Sequence, residues 1–252
     1  MEPERSEALI LRVYPWSETS CVVPMYTRTH GKTAVLAKGA WRPKSPFEGA
    51  LDLLAICRVV FIPKPGDALG LLTEAKLERR FRPAGRQLLR LYCGYYVSEL
   101  LDRLTERDQP QADLYDLAEA TLVAFAAEDT EPRAAVLRFE LQMLRILGHL
   151  PEWNRCIHCN AVIAEEVPMP FAPTAGGMVC TDCMSGYRPL VQLPWAARRE
   201  LIRLSDENWR AADLSAVSEH GRAAMRGAME RTFAALLERR FNVTPYLQEL
   251  GH

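Results

Sequence analysis

No stretch of this 252-residue chain supplies the ~18 consecutive apolar residues that a bilayer-spanning helix needs. The N-terminus, MEPERSEALI, is acidic and lacks the apolar core of a secretory signal, which predicts a reducing, cytoplasmic setting. No HExxH pair, open three-ligand metal set or Ser-His-Asp arrangement is visible, so nothing invites a hydrolase reading and a chemical active site is not expected. Excess charge is scarce too. Lys and Arg number 31 against 32 Asp and Glu, a net charge of −1, so only a local cluster could draw an anionic partner. Apolar content of 48% and charged content of 25% are those of an ordinary globular protein. The length allows one large domain or two smaller ones, each with its own core.

Cysteine, by contrast, is patterned. Cys156-x2-Cys159 and Cys180-x2-Cys183 stand twenty residues apart. Two residues between thiols let a tight turn aim both sulfurs at one point, and two such knuckles make a closed tetrahedral zinc site. A closed site leaves no position for water or substrate, so one structural Zn2+ is expected. Disulfides are disfavoured without an oxidising compartment, and the βαβ context of a redox CxxC is missing. His158, inside the first knuckle, reads as exposed because four thiolates already fill the shell. Arg155 and Arg188 flank the knuckles and are placed to donate toward a site of net charge −2. Cys21, Cys57 and Cys93 sit singly in apolar stretches and read as inert core thiols.

Near the N-terminus the acids disappear. Between Glu18 and Glu48 there are none, while Arg28, Lys32, Lys38, Arg42 and Lys44 all fall in that window. Short runs rich in β-branched and aromatic residues at 8–14, 20–27, 33–38, 51–62 and 68–73 predict five strands, with turns at 29–32 and 63–67. Five short strands in about 80 residues suggest a small closed or partly open barrel. Residues 38–45 (KGAWRPKS) form a loop leaving the third strand and present Lys38, Arg42 and Lys44 beside Trp41. Cations neutralise phosphates while an aromatic face stacks on an unpaired base, a combination suited to single-stranded nucleic acid.

After Arg80 the periodicity becomes helical. Leu89, Cys93, Tyr96, Leu100 and Leu104 mark a first helix, residues 111–127 a second, and a third starts with Thr130 as N-cap and stops before Gly148 and Pro151. These three are expected to make one bundle core. A Pro and two glycines between the knuckles predict a hairpin. Helices at about 194–204, 215–221 and 222–241 follow, with Arg198-Arg199 and Arg239-Arg240 among acids on a solvated face.

In this order of barrel, helices and four-cysteine module, the chain resembles the bacterial RecO family of recombination mediators. The resemblance covers nearly all of it. It rests on 8–12 (ALILR), 26–32 (YTRTHGK), 37–45 (AKGAWRPKS), 95–100 (YYVSEL), Phe139-Glu140-Leu141 with Leu147-Gly148, and Phe171 to Cys183 with Gly176-Gly177. It implies an α+β protein: a five-stranded OB-fold barrel over 1–80, then a helical domain over 81–252 carrying the zinc module at about 153–189. It further implies binding of single- and double-stranded DNA, strand annealing, and partnership with RecR. RecA loading on strands covered by single-strand binding protein, through that protein's acidic tail, follows, as does a place at the nucleoid. By motif match, Lys38, Arg42 and Lys44 carry over as DNA contacts, with Arg12, Arg28 and Lys32 as weaker candidates. The four paired cysteines carry over as zinc ligands. Trp41 stands where the family usually has a further cation, so this loop leans more on stacking. The competing expectation is a zinc-stapled interaction adaptor whose OB-like barrel binds a peptide rather than DNA.

Overall fold

The computed structural model describes residues 2–47, 49–64, 68–206, 214 and 217–237. Six strands open the chain: β1 (Glu4–Ile10), β2 (Tyr14–Pro15), β3 (Cys21–Thr27), β4 (Gly31–Ala37), β5 (Ile56–Ile62) and β6 (Gly70–Arg79). They run in the order β1-β5-β6-β4-β3-β2, and β1 also pairs with β3. Five strands therefore close on themselves, while the two-residue β2 hangs on β3. β4 and β6 are parallel and the other pairs antiparallel, which is the OB-fold arrangement expected from the resemblance. Alternate residues point inward, as strand geometry requires: Ala8 and Ile10, Cys21, Val23 and Met25, then Cys57, Val59 and Phe61. Closure gives each of the five barrel strands a partner on both sides and leaves β2 at the edge.

Strand ends differ from the expected ones for local reasons. Residues 51–54 form a turn, with Leu54 at φ 64°, so β5 starts only at Ile56. β6 continues to Arg79 instead of stopping at Thr73. A bulge at Thr73, whose hydroxyl donates to the Val60 carbonyl at 2.9 Å, shifts the inward phase from Leu72 to Ala75, which breaks the apolar alternation in sequence. Gly31 opens β4 at φ 68°, and a Cβ there would lie 2.1 Å from the Gln109 carbonyl oxygen. Only glycine fits both demands. The expected turn at 63–67 lies partly outside the described residues.

Among the described residues five α-helices follow: α1 (Leu88–Leu104), α2 (Ala112–Ala124), α3 (Pro132–Ile146), α4 (Trp195–Ser205) and α5 (Glu219–Leu237). No helix among the described residues is long and apolar enough to cross a membrane. The first three do not fall within one compact unit. Packing divides the chain into two compact units between Thr130 and Glu131, so α1 and α2 share a unit with the barrel and α3 opens the other. The broad apolar face of α1 is thereby explained: Ser98 donates to the Leu11 carbonyl at 3.0 Å, and Gly94 lets Leu54 and Phe81 come close. The N-cap of α3 is Glu131, not Thr130. Its carboxylate accepts from the Arg133 and Ala134 backbone N–H groups, where a negative charge also suits the helix dipole.

Arg90 fastens the end of the first unit. It is 4% exposed, and its guanidinium donates to the carbonyls of Ala127 (2.7 Å), Glu128 (3.0 Å), Thr130 (2.8 Å) and Phe125 (3.4 Å). These carbonyls follow α2 and have no helix to satisfy them. Arg90→Met, which keeps the stem and removes the donors, is expected to cost about 2–4 kcal/mol, read as a lower urea midpoint. A midpoint unchanged by the substitution would make this network incidental.

In the second unit, β7 (Met169–Ala172) pairs with β8 (Gly177–Met178) and β9 (Val191–Leu193). β7 and β8 are the expected hairpin between the knuckles. Trp153 stacks on Phe171 at 5.0 Å and 27°, and its indole N–H donates to Ser205 Oγ at 3.2 Å. Arg198 is not on a solvated face. It is 2% exposed, lies over the Trp195 ring at 4.5 Å, and donates to the Ala164 carbonyl at 2.9 Å. Burial lowers its pKa, and the aromatic face and carbonyl compensate the charge. Glu200 is also buried and pairs with Arg203, leaving Arg199 as the exposed member of that run. α5 is one helix across the expected break at 221/222: Gly221 is buried, and a Cβ there would meet Val217 at 2.7 Å. Residues 215–216 and 238–241, with Arg239 and Arg240, lie outside the described residues.

Candidate nucleic-acid interface and metal centre

The loop after β4 is built by two successive turns. Gly39 takes φ 69°, the Arg42 N–H donates to the Gly39 carbonyl and the Ser45 N–H to the Arg42 carbonyl, each at 3.1 Å. Ala37 and Phe47, both buried, anchor the loop at each end, so residues between them must ride on the surface. Lys44 holds φ 63°, a left-handed conformation disfavoured for a side-chain-bearing residue. Lys38, Arg42 and Lys44 are all exposed, and Trp41 is 48% exposed, outside the barrel core. None of the three cations makes an ion pair among the described residues. The loop is also tied sideways: the Trp41 N–H donates to the Thr19 carbonyl at 3.1 Å and the Gly39 N–H to Ser20 Oγ at 3.1 Å.

The weaker candidates sit differently. Arg28 grips both Asp116 oxygens at 2.8 and 2.9 Å and lies 4.0 Å from Glu7. The hydrogen bond from Arg28 lowers the Asp116 pKa. Lys32 is half-buried, donates to the Asp102 carbonyl, and has its pKa lowered by burial despite the Asp102 carboxylate at 4.0 Å. Arg12 reaches the same carboxylate at 3.8 Å and the Tyr14 hydroxyl at 3.2 Å. The structure thus gathers Lys38, Trp41, Arg42 and Lys44 on one loop and engages Arg12, Arg28 and Lys32 with carboxylates on α1 and α2. Two aromatic residues that the sequence did not single out are also exposed: Tyr14 at 46% and Trp16 at 63%. An aromatic pair beside the polar turn 17–20 was the available signal.

In the second unit, the sulfurs of Cys156, Cys159, Cys180 and Cys183 all lie within 4.8 Å of one another, and Cys159 and Cys180 are 3.7 Å apart. A tetrahedron with metal–sulfur bonds near 2.3 Å has edges of about 3.8 Å, so this set fits a metal ion. Each knuckle is a tight turn. The Asn160 N–H donates to the Cys156 carbonyl at 2.9 Å, and the Cys183 N–H to the Cys180 carbonyl at 3.1 Å. Asn160 closes the first turn at φ 61°, a conformation asparagine tolerates. Burial opposes ionisation of Cys156, yet N–H groups of Cys159, Cys180 and His158 outweigh it and bring the thiol down to about 6. The Cys183 thiol, hydrogen-bonded to Cys180, is pushed up to about 12. A dication would offset that resistance by stabilising the ionised thiolates, leaving the site at a net charge of −2.

The flanking cations brace the turns rather than the sulfurs. Arg155 donates to the Asn160 carbonyl at 3.2 Å, and Arg188 to the carbonyls of Tyr187 (2.6 Å) and Met184 (3.3 Å). His158 is exposed, its Nδ1 3.3 Å from the Tyr187 hydroxyl, and it stands outside the ligand set. Cys21, Cys57 and Cys93 are buried as expected, with burial raising the pKa of Cys57 to about 12.

Comparison with known proteins agrees with this architecture. Residues 1–81 match the family described as Recombination protein O N terminal, and residues 85–245 match Recombination protein O C terminal. The "DNA repair protein RecO" of Rhodopirellula baltica is 43% identical over 203 residues, covering 79% of this chain and 74% of the relative. That of Anaeromyxobacter sp. (strain Fw109-5) is 31% identical over 247 residues, 96% of this chain and 94% of the relative. That of Symbiobacterium thermophilum is 27% identical over 245 residues, 97% and 96% of the two chains. With both family models matched and a 43% identical relative covering most of its length, the chain belongs to the RecO family of DNA repair proteins.

Proposed function

We propose that this protein is a recombination mediator that binds single- and double-stranded DNA through the barrel loop and anneals complementary strands. In this reading it acts with RecR, engages the acidic tail of single-strand binding protein, and helps RecA load on strands which that protein covers. Lys38, Arg42 and Lys44 neutralise phosphates while Trp41 stacks on an unpaired base. Annealing needs no covalent step: lowering the repulsion between two phosphate backbones while the bases stay accessible is enough. The observation that carries this reading is a loop anchored at both ends that holds three exposed cations, none in an ion pair among the described residues, and an exposed indole. Such a surface supports nucleic acid in a chain whose net charge would not.

Zn2+ is the ion we assign to the four thiolates. With all four positions taken by sulfur, it would supply no reaction and would hold the two knuckles against the β7–β8 hairpin.

A salt titration tests the DNA reading. Anisotropy of a labelled single-stranded oligonucleotide should show log affinity falling with log salt by about 0.7 per phosphate contact. Three loop cations in contact predict a slope of roughly −2 or steeper. Absence of binding at low salt would move the barrel to the adaptor role.

A further inference from the structure

Tyr14 and Trp16 lie on the hairpin arm that β2 makes with β3. The pairing runs Tyr14 to Val22 and Pro15 to Cys21, and the Trp16 N–H extends it by donating to the Ser20 carbonyl at 2.9 Å. In an extended strand, residues i and i+2 share a face and stand about 7 Å apart. Two rings held at that spacing would have room for one flat base between them, given a ~3.5 Å contact distance for stacked rings. Both rings reach solvent: Trp16 is the most exposed aromatic residue among those described, at 63%, and Tyr14 is 46% exposed. An unburied indole gains nothing from folding, whereas a stacked one gains on binding.

The position of the arm selects its occupant. Its turn is sewn to the basic loop by the bonds from Trp41 N–H to Thr19 and from Gly39 N–H to Ser20. A strand whose phosphates lie along Lys38, Arg42 and Lys44 would therefore run beside the arm. Arg12, which donates to the Tyr14 hydroxyl at 3.2 Å, fixes that ring from the side.

We infer that Trp16, with Tyr14 beside it, is a second base-stacking station that continues the Trp41 loop and selects unpaired over paired nucleic acid. The inference rests on the proposed DNA-binding function. Bases in a duplex are already stacked on one another, so only an unpaired strand can use the platform.

The test is the affinity of the full-length Trp16→Ala and Trp16→Phe proteins for a labelled oligo-dT and for a duplex of equal length. Trp16→Ala should weaken oligo-dT binding about tenfold or more, leave duplex binding within about twofold, and leave the salt slope unchanged, since no phosphate contact is lost. Trp16→Phe, which keeps a ring, should recover most of the loss. Unchanged oligo-dT affinity in Trp16→Ala would overturn the inference while the DNA-binding reading stands. Equal losses on single strand and duplex would overturn it too, by showing an effect on the whole surface. A wild-type protein that binds neither would sink both.

Discussion

Replacing Cys180 with serine is expected to release the metal and lower the melting temperature of the second unit. Three thiolates and a hydroxyl make a much weaker site, because a serine hydroxyl does not ionise near neutral pH. In isolated finger modules such binding contributes ~10 kcal/mol or more of folding free energy. Here the loss should be smaller, about 3–5 kcal/mol, because the base of the module is held independently. Trp153 stacks on Phe171, Arg198 fastens the segment leaving the first knuckle, and β9 pairs with β7. Near 3 °C per kcal/mol for a chain of this size, the shift would be ~10 °C. Metal analysis should give one zinc per wild-type chain and none in the variant. Equal metal content in the two would sink the four-thiolate assignment. Oligonucleotide binding measured well below the transition should not change, since Lys38, Arg42 and Lys44 belong to the other compact unit.

The four-cysteine cluster was the most legible part because its geometry is local. Ligand spacing within each knuckle is a property of four consecutive residues, and the Pro and glycines before Cys180 announce the hairpin that joins them. The barrel was legible for a similar reason, as alternation in β3, β4 and β5 survives in sequence wherever no bulge interrupts it. Thr73 shows the limit: one inserted residue inverted the pattern and hid the second half of β6. Helix existence was equally plain, yet helix placement was not. The breadth of the α1 stripe reported burial on several sides, but periodicity does not name the covering element. Leu11 and Leu54, from the barrel segment, meet it at Ser98 and Gly94.

Charge was read least well, because a sequence lists cations and does not show their partners. Arg28 and Lys44 are alike in the acid-free window. One grips Asp116, 88 residues away in the chain, and the other faces solvent. Beside Arg199 in sequence, Arg198 has the look of a surface residue, yet it is buried over Trp195 and donates to the Ala164 carbonyl. Long-range ion pairs and cation–π contacts leave no periodic trace, so these distinctions awaited the structure.

The contrast between Arg28 and the loop lysines also gives the sharpest test of where DNA binds. A Lys38→Glu/Lys44→Glu protein should fold normally, since both side chains are exposed and neither makes an ion pair among the described residues; surface changes of this kind stay within about 0.5 kcal/mol. Its affinity for a single-stranded oligonucleotide should fall about a hundredfold at 0.1 M salt, because two phosphate contacts are lost and two carboxylates repel the backbone. The salt slope should become shallower by about 1.4, twice the single-strand value per contact. Arg28→Glu should do the reverse. It would face Asp116 and Glu7 as a like charge, so stability would drop while affinity changes little. If affinity instead survives the double reversal, the phosphate track lies off this loop, on surfaces of the helical region. If Arg28→Glu abolishes binding in a folded protein, the pair with Asp116 opens when DNA arrives, and the interface extends along the 28–32 turn.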